Sequence, residues 1–402
     1  MATEKASART TSTAGGRLPD GTPRLHIDSL LDDRAVHVIV CCGSGGVGKT
    51  TVAASLALRA AERGRKVCVM TIDPAKRLAQ SMGLTELDNT PRAVNGVIPC
   101  DGANSGRLDA MMLDMKRTFD EIVQSHQDTE RAQAILDNPF YQALSSSFAG
   151  TQEYMAMEKL GQLRNAAATT GQWDLIVVDT PPSRSALDFL DAPQRLGSFL
   201  DGRLMRLLAA PARGAGKLTG KIVTVGFTVV TGTITKVIGA QVLKDLQLFV
   251  ASFDAMFGGF RERAEATYRQ LQAPDTRFIV VAAPDRDALR EASYFVERLA
   301  TEQMPLSGLV LNRVATVPLP QLTRETAIAG ADRLDEAGEH AVVSGMLRLH
   351  ADKMQLAKSQ RRMAERFCSA HPSVAVATAA ALPGDVHDLD GLREVGQALA
   401  ND

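Results

Sequence analysis

A chain of 402 residues, 45% hydrophobic and 23% charged, is long and apolar enough for a large core, either one elaborated α/β domain or a domain with a helical insertion. Its formal net charge of −1 gives no general attraction to nucleic acid, and five cysteines without a CxxC pair argue against a disulfide frame. Residues 1–33 are expected to form a disordered tail: Met1–Arg24 is rich in Ala, Thr, Ser and Gly and has no apolar core of a signal peptide.

From residue 34 onward the pattern is α/β, with a mainly parallel sheet flanked by helices. Ala35–Cys42 is an apolar, β-branched run expected as a strand, and it opens into Gly43-Ser44-Gly45-Gly46-Val47-Gly48-Lys49-Thr50-Thr51, where helical periodicity begins and runs to Arg63. Glycines at 43, 45, 46 and 48 leave no Cβ to block the backbone, so successive N–H groups converge on an anion at the start of the helix. Lys49 then reaches the β- and γ-phosphates of ATP as a catalytic cation, and the Thr50 hydroxyl ligates Mg²⁺. Lys66–Ile72 follows as a second strand ending at Asp73-Pro74-Ala75-Lys76-Arg77-Leu78, and strand, helix and strand in this order imply a parallel sheet. Cys41, Cys42 and Cys68 fall inside these strands and read as small core residues.

Gly106–Leu136 reads as helical, and Pro139 separates it from a second helical stretch reaching Ala168, so helices are expected over about 106–170. Trp173–Asp179 is expected as a buried strand ending in a carboxylate, with further strands at Phe278–Ala282, Leu306–Leu311 and Val374–Thr378. Ligands of open α/β sheets lie at the carboxyl ends of the strands, where Asp73 and Asp179 both fall. An aspartate at a strand end is by itself more often a turn or helix-cap residue. Beside a phosphate loop, Asp179 takes the character of a carboxylate that holds Mg²⁺ through water, and Asp73 that of a metal-linked group that orients or deprotonates the attacking water.

An expected helical insertion spans about 195–272. Within it Ile222–Leu243 has spanning length, but its five threonines and three glycines make it too polar for a transmembrane helix. Leu243, Leu246, Val250, Phe253, Phe257 and Phe260 recur at spacings of three and four, an apolar stripe that serves either as core or as a surface for an apolar client. The late basic run Arg348, Lys353, Lys358, Arg361, Arg362 and Arg366 reads as a solvated face or a docking face.

Together these residues resemble the deviant-Walker P-loop NTPases of the MinD and arsenical-pump type, most closely the arsenical-pump and tail-anchored-protein-targeting ATPases. The resemblance rests on Gly43 to Thr51, Asp73-Pro74-Ala75-Lys76, Asp179-Thr180-Pro181-Pro182 and Leu311-Asn312-Arg313, in the family's order. It implies a dimeric ATPase with ATP and Mg²⁺ as cofactors, Asp73 as catalytic carboxylate, Asp179 as Mg²⁺-linked carboxylate, Asn312 as adenine reader, and Leu382-Pro383 packing near the base. A closer likeness is to the member of an actinobacterial ATPase pair that lacks the family's signature lysine. The family places that lysine where this chain has Ser44. A homodimer would then lack both trans lysines, and a paralogue that keeps its lysine would supply one as heterodimer partner, unless Lys76, Arg77 or Arg184 substitutes. Neither the zinc-binding CxxC nor the clustered cysteines of the relatives is present, so no zinc is expected.

Three functions compete on this reading. The first is a cytoplasmic ATPase, at most peripheral at the inner face of the membrane, that handles a hydrophobic client or membrane-associated partner; the second is the ATPase subunit of an anion or metalloid pump. The third, a MinD- or ParA-like positioning ATPase, is disfavoured by the long apolar insertion and the short acidic C-terminus.

Overall fold

The computed structural model describes residues 18, 21–73, 77–84, 86–100, 106–126, 129–138, 141–142, 151–181 and 262–401. Among them eight strands form one sheet: β1 Val38–Cys42, β2 Lys66–Thr71, β3 Arg92–Ala93, β4 Arg107–Met112, β5 Leu175–Asp179, β6 Thr276–Ala282, β7 Leu306–Val314 and β8 Val376–Ala380. Their spatial order is β3-β4-β2-β5-β1-β6-β7-β8, and every neighbouring pair is parallel except β3 on β4. β1 and β5 lie at the centre and are buried at every position, which is why both read as unbroken apolar runs rather than as alternating ones.

Among the described residues the named helices are α1 Ile27–Asp32, α2 Lys49–Glu62, α3 Arg77–Ser81, α4 Met115–His126, α5 Thr129–Leu136, α6 Thr151–Thr170, α7 over 262–272, α8 Arg286–Thr301, α9 Arg324–Ala337, α10 Ala341–Ala370 and α11 Leu389–Ala400. α2 is buried nearly all round, between the sheet and α1 and α11. α9 and α10 form an antiparallel hairpin after β7. Arg348 of α10 bonds Asp332 and Asp335 of α9, while Lys353, Lys358, Arg361, Arg362 and Arg366 of the basic run are exposed. The same helix exposes Val342, Met346, Leu349 and Leu356, a stripe the charge pattern had concealed.

Two expectations are corrected. The helical reading from residue 106 fails at β4, whose sequence Arg-Leu-Asp-Ala-Met-Met has little β propensity of its own. Tertiary partners decide it: Asp109 is fully buried, accepts from Trp173 Nε1 at 2.8 Å and Arg107 Nε at 2.9 Å, and pairs in register with Cys68 of β2. The disorder expected of residues 1–33 does not hold for the described stretch 21–33. Leu25 N–H donates to Val376 O and Val376 N–H to Pro23 O, and Ile27 and Leu31 of α1 are buried in the main core.

Below the sheet, at the amino ends of the strands, Arg65 is buried and donates to the carbonyls of Leu31, Val36 and Asp174 and to the Asp174 carboxylate. This joins α1, the entry to β1 and the entry to β5, so the opposite, carboxyl edge is held at a fixed register. The insertion's apolar stripe and Ile222–Leu243 lie outside the described residues. Of the insertion, α7 is described, with Ala264, Thr267 and Leu271 buried and Arg263 paired to the buried Glu158 of α6. No described helix is long and apolar enough to cross a membrane.

Candidate nucleotide-binding site

β1 ends at Cys42 and the chain turns through Gly43 to Gly48 before α2 begins at Lys49. At Gly43 a Cβ would stand 2.1 Å from Val281 O, so only glycine lets the loop leave β1 against β6. Gly48 has φ +89 and serves as the α2 N-cap without any side-chain hydrogen bond, and the first turn of the helix carries no acidic residue. The orphan N–H groups and positive end of α2 are therefore open to an anion.

Lys49 is buried, and its Nζ donates to Ser44 O at 3.0 Å. Burial lowers its pKa, opposed by Asp179, Cys42 and Asp73 nearby. A buried cation with a carbonyl partner is suited to an incoming phosphate. Lys49→Ala is expected to weaken ATP binding about 10- to 100-fold, the worth of a charge-assisted hydrogen bond, read by titration with a fluorescent ATP analogue.

The sheet register brings Cys41 of β1 and Thr71 of β2 to either side of Asp179 at the end of β5. Asp179 is fully buried, and its Oδ2 accepts from Thr50 Oγ1 at 2.7 Å and Thr71 Oγ1 at 2.9 Å. Its Oδ1 has no hydrogen-bond partner among the described residues. Burial pushes its pKa up to about 6, against the lowering effect of the Thr50 bond and Lys49. Thr71 Oγ1 also accepts from Asp73 N–H at 3.2 Å, tying the half-buried Asp73 to the same cluster. Thr180, next along, donates from N and Oγ1 to Cys41 O. Burial pushes the Cys42 thiol up to about 12, and Cys41 and Cys68 are likewise buried with raised values, so these thiols stay protonated core groups.

Asn312 and Arg313, at the end of β7, reach the loop from the other side. Asn312 Nδ2 donates to Val47 O at 2.9 Å and Arg313 Nη1 to Gly46 O at 2.9 Å. Leu382 packs partly buried against the core beyond β8, and Pro383 is exposed. Loop, Lys49, Thr50, Asp73, Asp179 and Asn312 thus converge at one edge of the sheet. Lys76 and Arg184 lie outside the described residues. Sequence reasoning passed over Thr71, whose strand-end position two residues before Asp73 was a signal, and Arg313.

A helix start left open to an anion, with a carboxylate kept half-bonded at the end of the neighbouring strand, is the construction of a P-loop nucleoside triphosphatase. Residues 36–324 match the family model described as anion-transporting ATPase, so the chain belongs to the anion-transporting ATPase family and is an ATPase. Among similar proteins are the ATPase GET3 of Podospora anserina, 24% identical over 75% of this chain and 80% of that one, and the ATPase ARSA2 of Chlamydomonas reinhardtii, 26% identical over 74% and 72%. The ATPase GET3 of Malassezia globosa is 29% identical over 43% of this chain, and the chain spans 47% of that relative's length.

Proposed function

We propose that this chain hydrolyses ATP with Mg²⁺ as a dimer and uses nucleotide-driven opening and closing to hold or hand over a hydrophobic client or membrane-associated partner, as tail-anchored-protein-targeting ATPases do. The observation that carries the chemistry is Asp179: a buried carboxylate with one oxygen held by two threonine hydroxyls and the other without a partner. An orphaned carboxylate oxygen beside Thr50 suits a hydrated divalent cation, since Mg²⁺ takes oxygen donors and keeps several waters. Thr50 and Asp179, with Asp73 at the rim, would hold it; its contribution when bound is to neutralise charge on the β- and γ-phosphate oxygens.

The chain's own groups do the rest. The loop N–H groups and Lys49 bind and orient the phosphates, and Asn312, together with Leu382 and Pro383, recognises the base. Asp73 accepts a proton from the attacking water at its carboxylate as the new P–O bond forms and the bond to ADP breaks. Residues 34–402 act as one ATPase domain, and the insertion at about 195–272 serves client or partner. The physiological assembly is a dimer, with a lysine-bearing paralogue favoured as partner by Ser44, working in the cytoplasm and at most peripherally at the inner membrane face, without nucleic acid.

Asp73→Asn tests the chemistry. An amide cannot take the proton, so turnover is expected to fall about 10²-fold while ATP affinity stays within twofold. Wild-type turnover in the variant would remove Asp73 from the role. Co-purification of the native complex tests the biology: a paralogous ATPase with apolar peptides supports client handling, whereas an integral pump overturns it.

A further inference from the structure

A loop whose N–H groups converge on phosphate must turn its carbonyls outward, and those carbonyls need partners of their own. Gly46 O and Val47 O find theirs in Arg313 and Asn312, separated from them by 267 and 265 residues. Consecutive side chains of a regular strand point to opposite faces, so a regular β7 could present only one of these residues to the loop. β7 is not regular there. Its pairing with β8 slips between Leu311 and Val314, and Arg313 takes φ +60, a left-handed conformation unfavourable for a residue with a Cβ. The irregularity turns both side chains towards the loop, and Asn312 fills the space over Gly48, where a Cβ would lie 2.3 Å from its Nδ2.

We propose that Arg313 is a positioning residue for the nucleotide: its bond to Gly46 O, bought with backbone strain, holds the phosphate loop in its binding conformation before any nucleotide arrives. This rests on the reading that the loop takes nucleotide phosphates. Preorganisation of the loop favours ground and transition states equally, so it acts on affinity and not on kcat. It also acts alike on ATP and ADP, which share the phosphates the loop cradles.

The test is made on the full chain with Arg313→Gly and Arg313→Lys, at a temperature where circular dichroism shows each folded. Glycine accepts the left-handed backbone and so separates the guanidinium from the strain. Arg313→Gly is expected to bind ATP and ADP about tenfold more weakly with kcat within twofold of wild type, and Arg313→Lys, which can still donate to one carbonyl, to recover part of the affinity. Wild-type affinity in Arg313→Gly overturns the proposal, as does a loss that Arg313→Lys does not recover at all. Failure of the wild type itself to bind ATP overturns the reading of the loop, a result distinct from either.

Discussion

Asp179→Asn is expected to lower Mg²⁺-dependent ATP turnover about 10³-fold and, at the same time, to raise the melting temperature of the nucleotide-free protein by a few degrees at about pH 7.5. Both effects follow from one buried carboxylate. Its pKa stands near 6 against an ordinary 3.8, chiefly through burial, so the native state binds that proton more tightly than the unfolded chain does. The sign follows: ionisation of Asp179 penalises the native state fully above about pH 6, the penalty shrinks as the pH falls, and below 3.8 it is gone. A shift of this size corresponds to on the order of 3 kcal/mol. An asparagine carbonyl can still accept from Thr50 and Thr71, and its amide replaces the orphaned oxygen; Lys49 loses one anionic neighbour but keeps Asp73 and the Ser44 carbonyl, so part of the 3 kcal/mol is recovered. Thermal melts of wild type and variant at about pH 7.5 and about pH 4 are the measurement. A variant less stable than wild type at the higher pH, or a gain that grows as the pH falls, contradicts the account.

Most of the fold was legible because its central strands are buried on both faces. Val38–Cys42 and Leu175–Asp179 have to be apolar throughout, and such runs next to a glycine loop or ending in Asp leave little ambiguity. β4 was not legible, since its identity depends on Trp173 and Arg107 satisfying a buried aspartate, a pairing 64 residues apart for the tryptophan. Nor was the docking of α1, where two buried residues, Ile27 and Leu31, in a six-residue helix follow a polar tail and carry too weak a period.

The site divides along the same line. Residues from the loop and the strand ends follow from spacing, because the chain itself sets Lys49 and Thr50 one and two residues beyond Gly48. Thr71 and Arg313 do not. The first needs the register of β2 on β5 to meet Asp179, and the second needs an irregular strand end to meet Gly46. Contacts that depend on pairing register or on a single left-handed residue leave no period in the sequence to read.

Ser44→Lys is expected to raise the ATP turnover of the homodimer about 10³-fold, and co-expression with a lysine-bearing paralogue to do the same for the unmutated chain. Two cations bond to the loop among the described residues, Lys49 on Ser44 O and Arg313 on Gly46 O, and both belong to this chain. Arg313 is committed to an outward carbonyl, which leaves Lys49, of these two described cations, to meet the negative charge that spreads over the γ-phosphoryl oxygens in the transition state. A second cation supplied across a water-poor dimer interface acts there as an arginine finger does, with effects of 10³ and upward. Ser44 is a suitable position to test, because Lys49 bonds its main-chain oxygen and keeps that bond in the variant, while the exposed Gly45 and Gly46 beside it give a lysine stem a route out of the buried position. Ser44→Ala is the control, expected to match wild type. Steady-state hydrolysis by wild type, both variants and the co-expressed pair, with sedimentation establishing that each is dimeric, decides the matter. A wild-type homodimer that already turns over as fast as the pair means that the serine has no catalytic consequence, and the case for a heterodimer falls with it.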